Sequence, residues 1–160
     1  MELIVAMAMM GILTTTVIFV YSLQFKSWNE SYSRASIRGN LSQALELATV
    51  SLLQAQSVDE LTESGITFTA DLGNGNNSYR FYLYNADDPE PNPPYTQSTY
   101  SLRFAQESVD YGDGAVLSPD IAQPATPVFS MDDNTVTINL RALKGSEEVT
   151  MRTNVRPRNL

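Results

Sequence analysis

The carboxylates of this 160-residue chain gather in a few places, and each gathering suggests a different chemistry. Asp110 and Asp113 stand in the loop DYGDG, with Asp120 further along, where calcium could collect oxygen ligands. Calcium takes about six to eight oxygens, however, and short Asp/Gly loops more often serve as turns. Asp87, Asp88 and Glu90 are close enough in sequence to suggest an acid–base carboxylate pair, but they sit in DDPEPNPP, with four prolines in eight residues and no apolar enclosure. A seryl or threonyl nucleophile needs a base. With no His and no Cys in the chain, the only candidates are Lys26 and Lys144, neither in a recognisable motif. The same two absences remove imidazole catalysis, thiol nucleophiles, disulfides and Cys/His zinc sites. The composition therefore points away from an enzyme and implies no cofactor beyond a possible calcium ion at Asp110 and Asp113.

The charge balance narrows the partners. Ten Lys+Arg against 18 Asp+Glu give a formal charge of −8, the wrong sign for a phosphate-binding face, so no nucleic-acid partner is expected.

The remaining carboxylate is the most unusual. Glu2 leads the run LIVAMAMMGILTTTVIFVYSL, in which Thr14, Thr15, Thr16, Tyr21 and Ser22 are the only polar residues from Leu3 to Leu23. About 20 apolar residues at 1.5 Å each match the hydrocarbon thickness of a bilayer, and threonine can return its hydroxyl to the helix backbone. A cleaved secretory signal would begin with a basic region. Here the start is acidic and the first basic residue, Lys26, lies beyond the run.

The elements that position these groups follow from periodicity. No Pro or Gly occurs between Ile12 and Arg38, so nothing stops the helix at the end of the apolar run. Ile37, Leu41, Leu45, Ala48, Leu52 and Ala55 then recur at spacings of three or four, one helical stripe. The pattern predicts a single helix ending near Val58 to Leu61, with Ser64-Gly65 as its stop. Along it Tyr21, Phe25, Trp28 and Tyr32 recur at +4, +3 and +4 on one face. They suit either a membrane-interface belt or packing between helices, with packing preferred.

ELIVAMAMMGIL, residues 2–13, resembles the N-terminal signature of type IV pilins and type II secretion pseudopilins: a glutamate, a run of branched and small apolar residues, then Gly-Ile-Leu. Glu2, Gly11, Ile12 and Leu13 fall at the matching spacings. The resemblance runs over roughly the first 22 residues, the region of the prepilin methylation motif. In that family a few residues starting with a methylated aromatic precede the glutamate, and a basic leader ending in Gly precedes those. Neither stands before Glu2 in this sequence, so Met1 is read either as internal to the mature chain or as the start of a trimmed or re-initiated sequence.

The resemblance implies an inner-membrane protein, processed by a prepilin peptidase and handled by inner-membrane assembly machinery. Such a subunit moves from membrane lipid into a helical filament of its own or other pilin subunits, in the periplasm or at the cell surface. It also implies that Glu2 pairs with the N-terminal amine of a neighbour, and that Gly11 and the aromatic stripe belong to the assembly surface. Some pseudopilins carry calcium in a C-terminal loop, which is what draws attention to Asp110 and Asp113.

After Gly65 the period changes to two. Ile66–Leu72 and Tyr79–Tyr84 flank the turn cluster Gly73–Asn77 as a hairpin. The proline-rich stretch 87–94 is read as a stiff, exposed excursion, with Asp87, Asp88, Pro93 and Pro94 as surface contacts. Ser98–Ala105 is a third strand, Asp110–Pro127 a loop, and Thr135–Ala142 with Glu147–Val155 a second hairpin. The ending VTMRTNVRPRNL is similar to that of PilW-type and J-type minor pilins.

The expected architecture is α+β: a long N-terminal helix, membrane-spanning in its first half and amphipathic in its second, packed on an antiparallel β-sheet in a pilin-like layout. The divisions are 1–25 for the transmembrane or filament-core helix, 26–62 for its amphipathic continuation and 63–160 for a β-rich globular domain. The competing reading is a single-pass membrane-anchored binding module.

Overall fold

The computed structural model describes residues 2–158. One helix, α1 (Glu2–Leu53), runs unbroken for 52 residues, about 78 Å at 1.5 Å per residue. The absence of Pro allows it. The hydroxyls of Thr14, Thr15 and Thr16 donate to the carbonyls of Met10, Gly11 and Ile12 at 2.7–2.8 Å, so these polar groups are satisfied within the helix.

Eight strands follow: β1 (Ala55–Leu61), β2 (Gly65–Asp71), β3 (Asn76–Tyr84), β4 (Thr99–Gln106), β5 (Ala115–Ala122), β6 (Phe129–Asp132), β7 (Thr135–Lys144) and β8 (Glu147–Val155). They form one antiparallel sheet in the order β1-β2-β3-β4-β5-β7-β6, with β8 also paired to β7. The sheet curls, so that the turn before β2 meets the start of β6: the Val128 N–H donates to the Glu63 carbonyl at 2.8 Å. The fold is α+β, a long helix on an antiparallel sheet.

The helix ends earlier than its stripe predicts. The Gln54 N–H bonds to the Ser51 carbonyl at 3.2 Å, a tightened last turn, and the chain enters β1 with Ala55 opposite Ala70. Ala55 is buried as predicted, but from a strand, so the helical continuation assigned to 26–62 stops at Leu53. An alanine three residues past Leu52 satisfies both periods. Pairing decides between them: β2 supplies backbone partners, and Gln56 and Asn76 exchange two side-chain hydrogen bonds at 2.9 and 3.0 Å.

The second difference is β5, inside the stretch 110–127 read as loop. Pro119 is accommodated because the β4–β5 register shifts around it: Ser118 faces Leu102 and Ile121 faces Tyr100, leaving Pro119 and Asp120 opposite a single residue. Asp120 takes φ 60° there. Proline is excluded from regular ladders but is found at bulges, which is why a breaker signal concealed a strand. The 3₁₀ turn Tyr111–Asp113 precedes it.

The core lies between the second half of α1 and the inner face of the sheet. Ile37, Leu41, Leu45, Ala48 and Leu52 are buried, joined by Ala44 and Ser51. They meet Val136, Ile138 and Leu140 of β7, whose alternation is complete. Phe68 stacks on Phe81 at 5.6 Å, and Phe81 packs against Phe104 at 4.7 Å with the rings tilted by 31°, filling the curl of β2–β4. Arg34 of α1 pairs with Glu147 at the β7–β8 turn, Nε to Oε2 at 2.7 Å, fixing that hairpin tip where the helix leaves the domain.

Leu41→Ala is expected to lower stability by about 2–5 kcal/mol, since Leu41 is fully buried. Leu13→Ala, on the exposed part of the same helix, is expected to stay within about 0.5 kcal/mol. Urea titrations of the full chain in detergent micelles, followed by circular dichroism, compare the two.

Candidate functional site

The chain exposes its apolar surface almost entirely at one place. Residues 2–29 are all exposed, including Leu3, Met10, Leu13 and Phe19. This part of α1 is apolar enough to cross a membrane, with a mean hydropathy of 2.4 in its best window and none of that window buried. The chain thus has a helix that could anchor it in a bilayer. Glu2 opens the helix as the acidic residue of its first turn, where the positive end of the helix dipole favours a carboxylate.

Tyr21, Phe25, Trp28 and Tyr32 are 63–72% exposed, and none belongs to the core of the domain. Gly11 and Gly39 are equally unengaged: a Cβ at either would meet nothing within 4 Å. Glycine in a helix interior costs about 1 kcal/mol relative to alanine, and nothing within the folded chain offsets that. Glu2, Gly11 and the four aromatics therefore fall on one exposed helix, beyond the packed domain.

The other predicted groups are not brought together with them. Asp88 is not a free carboxylate. Its Oδ2 accepts from the Tyr100 hydroxyl at 2.8 Å and from Thr96 at 3.0 Å. Pro91 is fully buried, so the excursion 87–94 is anchored at its middle, while Asp87, Pro93 and Pro94 remain exposed as expected.

The loop around Asp110 and Asp113 is organised by cations from the sheet. Arg80 donates to the Val109 carbonyl and Arg103 to the Gly112 carbonyl, while the Tyr82 hydroxyl donates to the Tyr111 carbonyl at 2.7 Å. Arg80 lies 3.8 Å from the centre of the Tyr111 ring and Arg103 4.1 Å from that of Tyr84, close enough for cation–π attraction. The backbone oxygens a calcium ion would need are thus accepting from guanidinium groups, whose charge opposes a second cation. Among the described residues no three acidic, His or Cys side chains converge as a metal site.

This Arg–Tyr arrangement is the part the sequence reading missed. Its signal was present: Arg80, Tyr82 and Tyr84 alternate with the inward Phe81 and Leu83 along β3, and Arg103 adjoins them across the register, opposite Tyr82. Gly114 belongs to the same device. Its φ of −63° is ordinary, so glycine is needed there for room: a Cβ would fall on the Tyr82 hydroxyl and 3.3 Å from the Ala105 Cβ.

Burial raises the phenol pKa values of Tyr82, Tyr95 and Tyr100 above their ordinary 10. Tyr95 is pushed up to about 12 by burial, then by Glu63 and Tyr100. No family model, curated protein or solved structure matches the chain.

Gly114→Ala is expected to lower stability by roughly 1–3 kcal/mol, and to do so less when Tyr82→Phe removes the obstructing hydroxyl. A double-mutant cycle of urea midpoints measures the difference. The tyrosines predict an alkaline response. Below about pH 10 the phenols are neutral in both states and their contribution is complete. From there to about 12 the unfolded chain ionises while folded Tyr95 holds its proton. The unfolded state then binds fewer protons, and stability falls as pH rises. Urea midpoints stepped through that window, with tyrosinate absorbance alongside, test it.

Proposed function

We propose that the chain is a structural subunit of a type IV pilus or type II secretion pseudopilus, held in the inner membrane before entering a helical filament through its N-terminal helix. The observation that carries this reading is a continuous helix whose first half is exposed and apolar and whose second half is built into a sheet. Such a rod transmits the position of the membrane segment directly to the domain. The signature Glu2–Leu13 at its tip gives the reading its family.

Transfer from lipid to a bundle of helices exchanges one apolar surrounding for another, so burial contributes little and packing shape and polar pairing decide the arrangement. Glu2 is the polar handle in this scheme. A carboxylate in hydrocarbon is unfavourable by a few kcal/mol or more, and an amine of a neighbouring subunit would neutralise it and fix the axial register. The β domain coats the filament, with Asp87, Pro93 and Pro94 among its exposed contacts. The 109–114 loop, with Asp110 and Asp113, is pinned to the domain by Arg80 and Arg103.

Glu2→Ala is expected to leave membrane association intact and to abolish or sharply reduce recovery of the chain in sheared filaments. Fractionation combined with negative-stain microscopy measures both. Undiminished incorporation would remove the role assigned to Glu2. A chain found only as a membrane monomer, indifferent to Glu2, would favour the anchored binding module.

A further inference from the structure

Arg80 is buried without a counter-charge. It is 9% exposed, and among the described residues no carboxylate lies within ion-pairing distance of it. One guanidinium N–H donates to the Val109 carbonyl, and the group's centre lies 3.8 Å from that of the Tyr111 ring and 5.0 Å from that of Tyr82. Its Nε is buried and has no hydrogen-bond partner. A guanidinium carries five N–H donors, and a buried donor left unmade costs its full desolvation. The tie to one loop carbonyl therefore does not account for an arginine at this place.

Arg80 also lines a cavity of about 120 Å³ on the outer face of the sheet. The floor of the cavity follows one row across three strands. Glu60 of β1 stands opposite Thr67 of β2, and Thr67 opposite Arg80 of β3. All three line the space. At about 4.8 Å between neighbouring strands, acid and base start roughly 10 Å apart with a small side chain between them. Glu90 and Asn92 of the proline-rich excursion and Tyr111 of the 3₁₀ turn complete the walls, and the fully buried Pro91 holds the excursion there. Glu60, Glu90 and Asn92 are exposed and mark the mouth, while Arg80 marks the buried end.

We infer that this cavity binds a small α-amino acid as its zwitterion, with the carboxylate on Arg80 and the ammonium toward Glu60 and Glu90. The charges fix the class. One guanidinium at the buried end matches one negative charge, and its fork suits a carboxylate. Two carboxylates at the mouth oppose a dianion such as phosphate but attract an ammonium held next to the bound carboxylate. The size agrees. A cavity of about 150 Å³ admits benzene, so about 120 Å³ has room for roughly five or six heavy atoms, those of glycine or alanine. Every group involved belongs to the β domain, so binding here is independent of filament assembly.

Calorimetric titration of the full chain in detergent micelles, with L-alanine, acetate, ethylammonium and inorganic phosphate as probes, tests this site. L-alanine is expected to bind roughly tenfold more tightly than acetate, the difference that one charge-assisted hydrogen bond supplies. Ethylammonium and phosphate are expected to give no saturable heat. Glu60→Gln combined with Glu90→Gln, at two exposed positions, is expected to bring the affinity for L-alanine close to that for acetate. Arg80→Lys keeps the charge but lacks the fork, and is expected to lose both. Should Arg80→Lys fail to fold by circular dichroism, Thr67→Leu, which fills the floor of the cavity, is expected to lose both in its place. No saturable heat from L-alanine at millimolar concentration overturns the site. Phosphate binding as tightly as L-alanine overturns the zwitterion, as does an L-alanine affinity unmoved by the paired glutamine substitutions. L-alanine binding unchanged in folded Arg80→Lys or Thr67→Leu overturns the place assigned to the ligand.

Discussion

Everything in this molecule depends on one helix being packed over only part of its length. Ile37, Leu41, Leu45, Ala48 and Leu52 press the second half of α1 into the sheet. Because no proline or turn interrupts the chain before them, the first half must project as the same rigid rod. An amphipathic helix usually finds its partner within its own domain. Here the domain satisfies the second half of the rod and leaves the exposed apolar run from Leu3 to Leu23 without one, more than a soluble monomer ordinarily exposes. The Arg34–Glu147 pair at the point of departure fixes the hairpin tip against the helix. It is partly exposed, so its contribution is modest, and its value is geometric.

The sheet is built to serve that rod. Antiparallel strands need only one buried face, and the inner face of β7 supplies Val136, Ile138 and Leu140 beneath the helix. The outer face is free to carry polar devices, of which the Arg80–Tyr82–Tyr111 and Arg103–Tyr84 contacts are the most developed. They hold the 109–114 loop with guanidinium donors to its carbonyls. Asp88 does comparable work beneath the proline-rich excursion by receiving Tyr100 and Thr96. Asp88, whose place beside Asp87 and Glu90 could suggest chemistry in the sequence, proves to be a fastener.

The fold was legible where one period dominated. The alternation of Thr135–Ala142, the turn at Asp132–Asn134 with Asp133 and Asn134 at positive φ, and the stripe from Ile37 to Leu52 all appear as their patterns require. It was illegible where two periods agreed or where a breaker was tolerated. Ala55 fits a helical stripe and a strand equally, and only the partner strand β2 distinguishes them. Pro119 forbids a regular ladder but not a bulge, and whether β4 can bulge opposite it is a property of the neighbour. The exposed groups of the candidate surface were named by their residue types. Arg80, Arg103 and Gly114 were not, because their significance lies in what reaches them from elsewhere in the sheet.

The sequence by itself determined that α1 is long, unbroken and apolar at its leading end, since spacing and the absence of proline are local facts. It determined likewise that imidazole and thiol chemistry are absent, because the residues are. Only the tertiary structure decided which way the aromatic stripe points. A helical wheel fixes the angle between two stripes, but it does not say which one the domain will cover. That choice was made by the volume and curl of the sheet packing on Ile37–Leu52, and it leaves Tyr21, Phe25, Trp28 and Tyr32 facing outward.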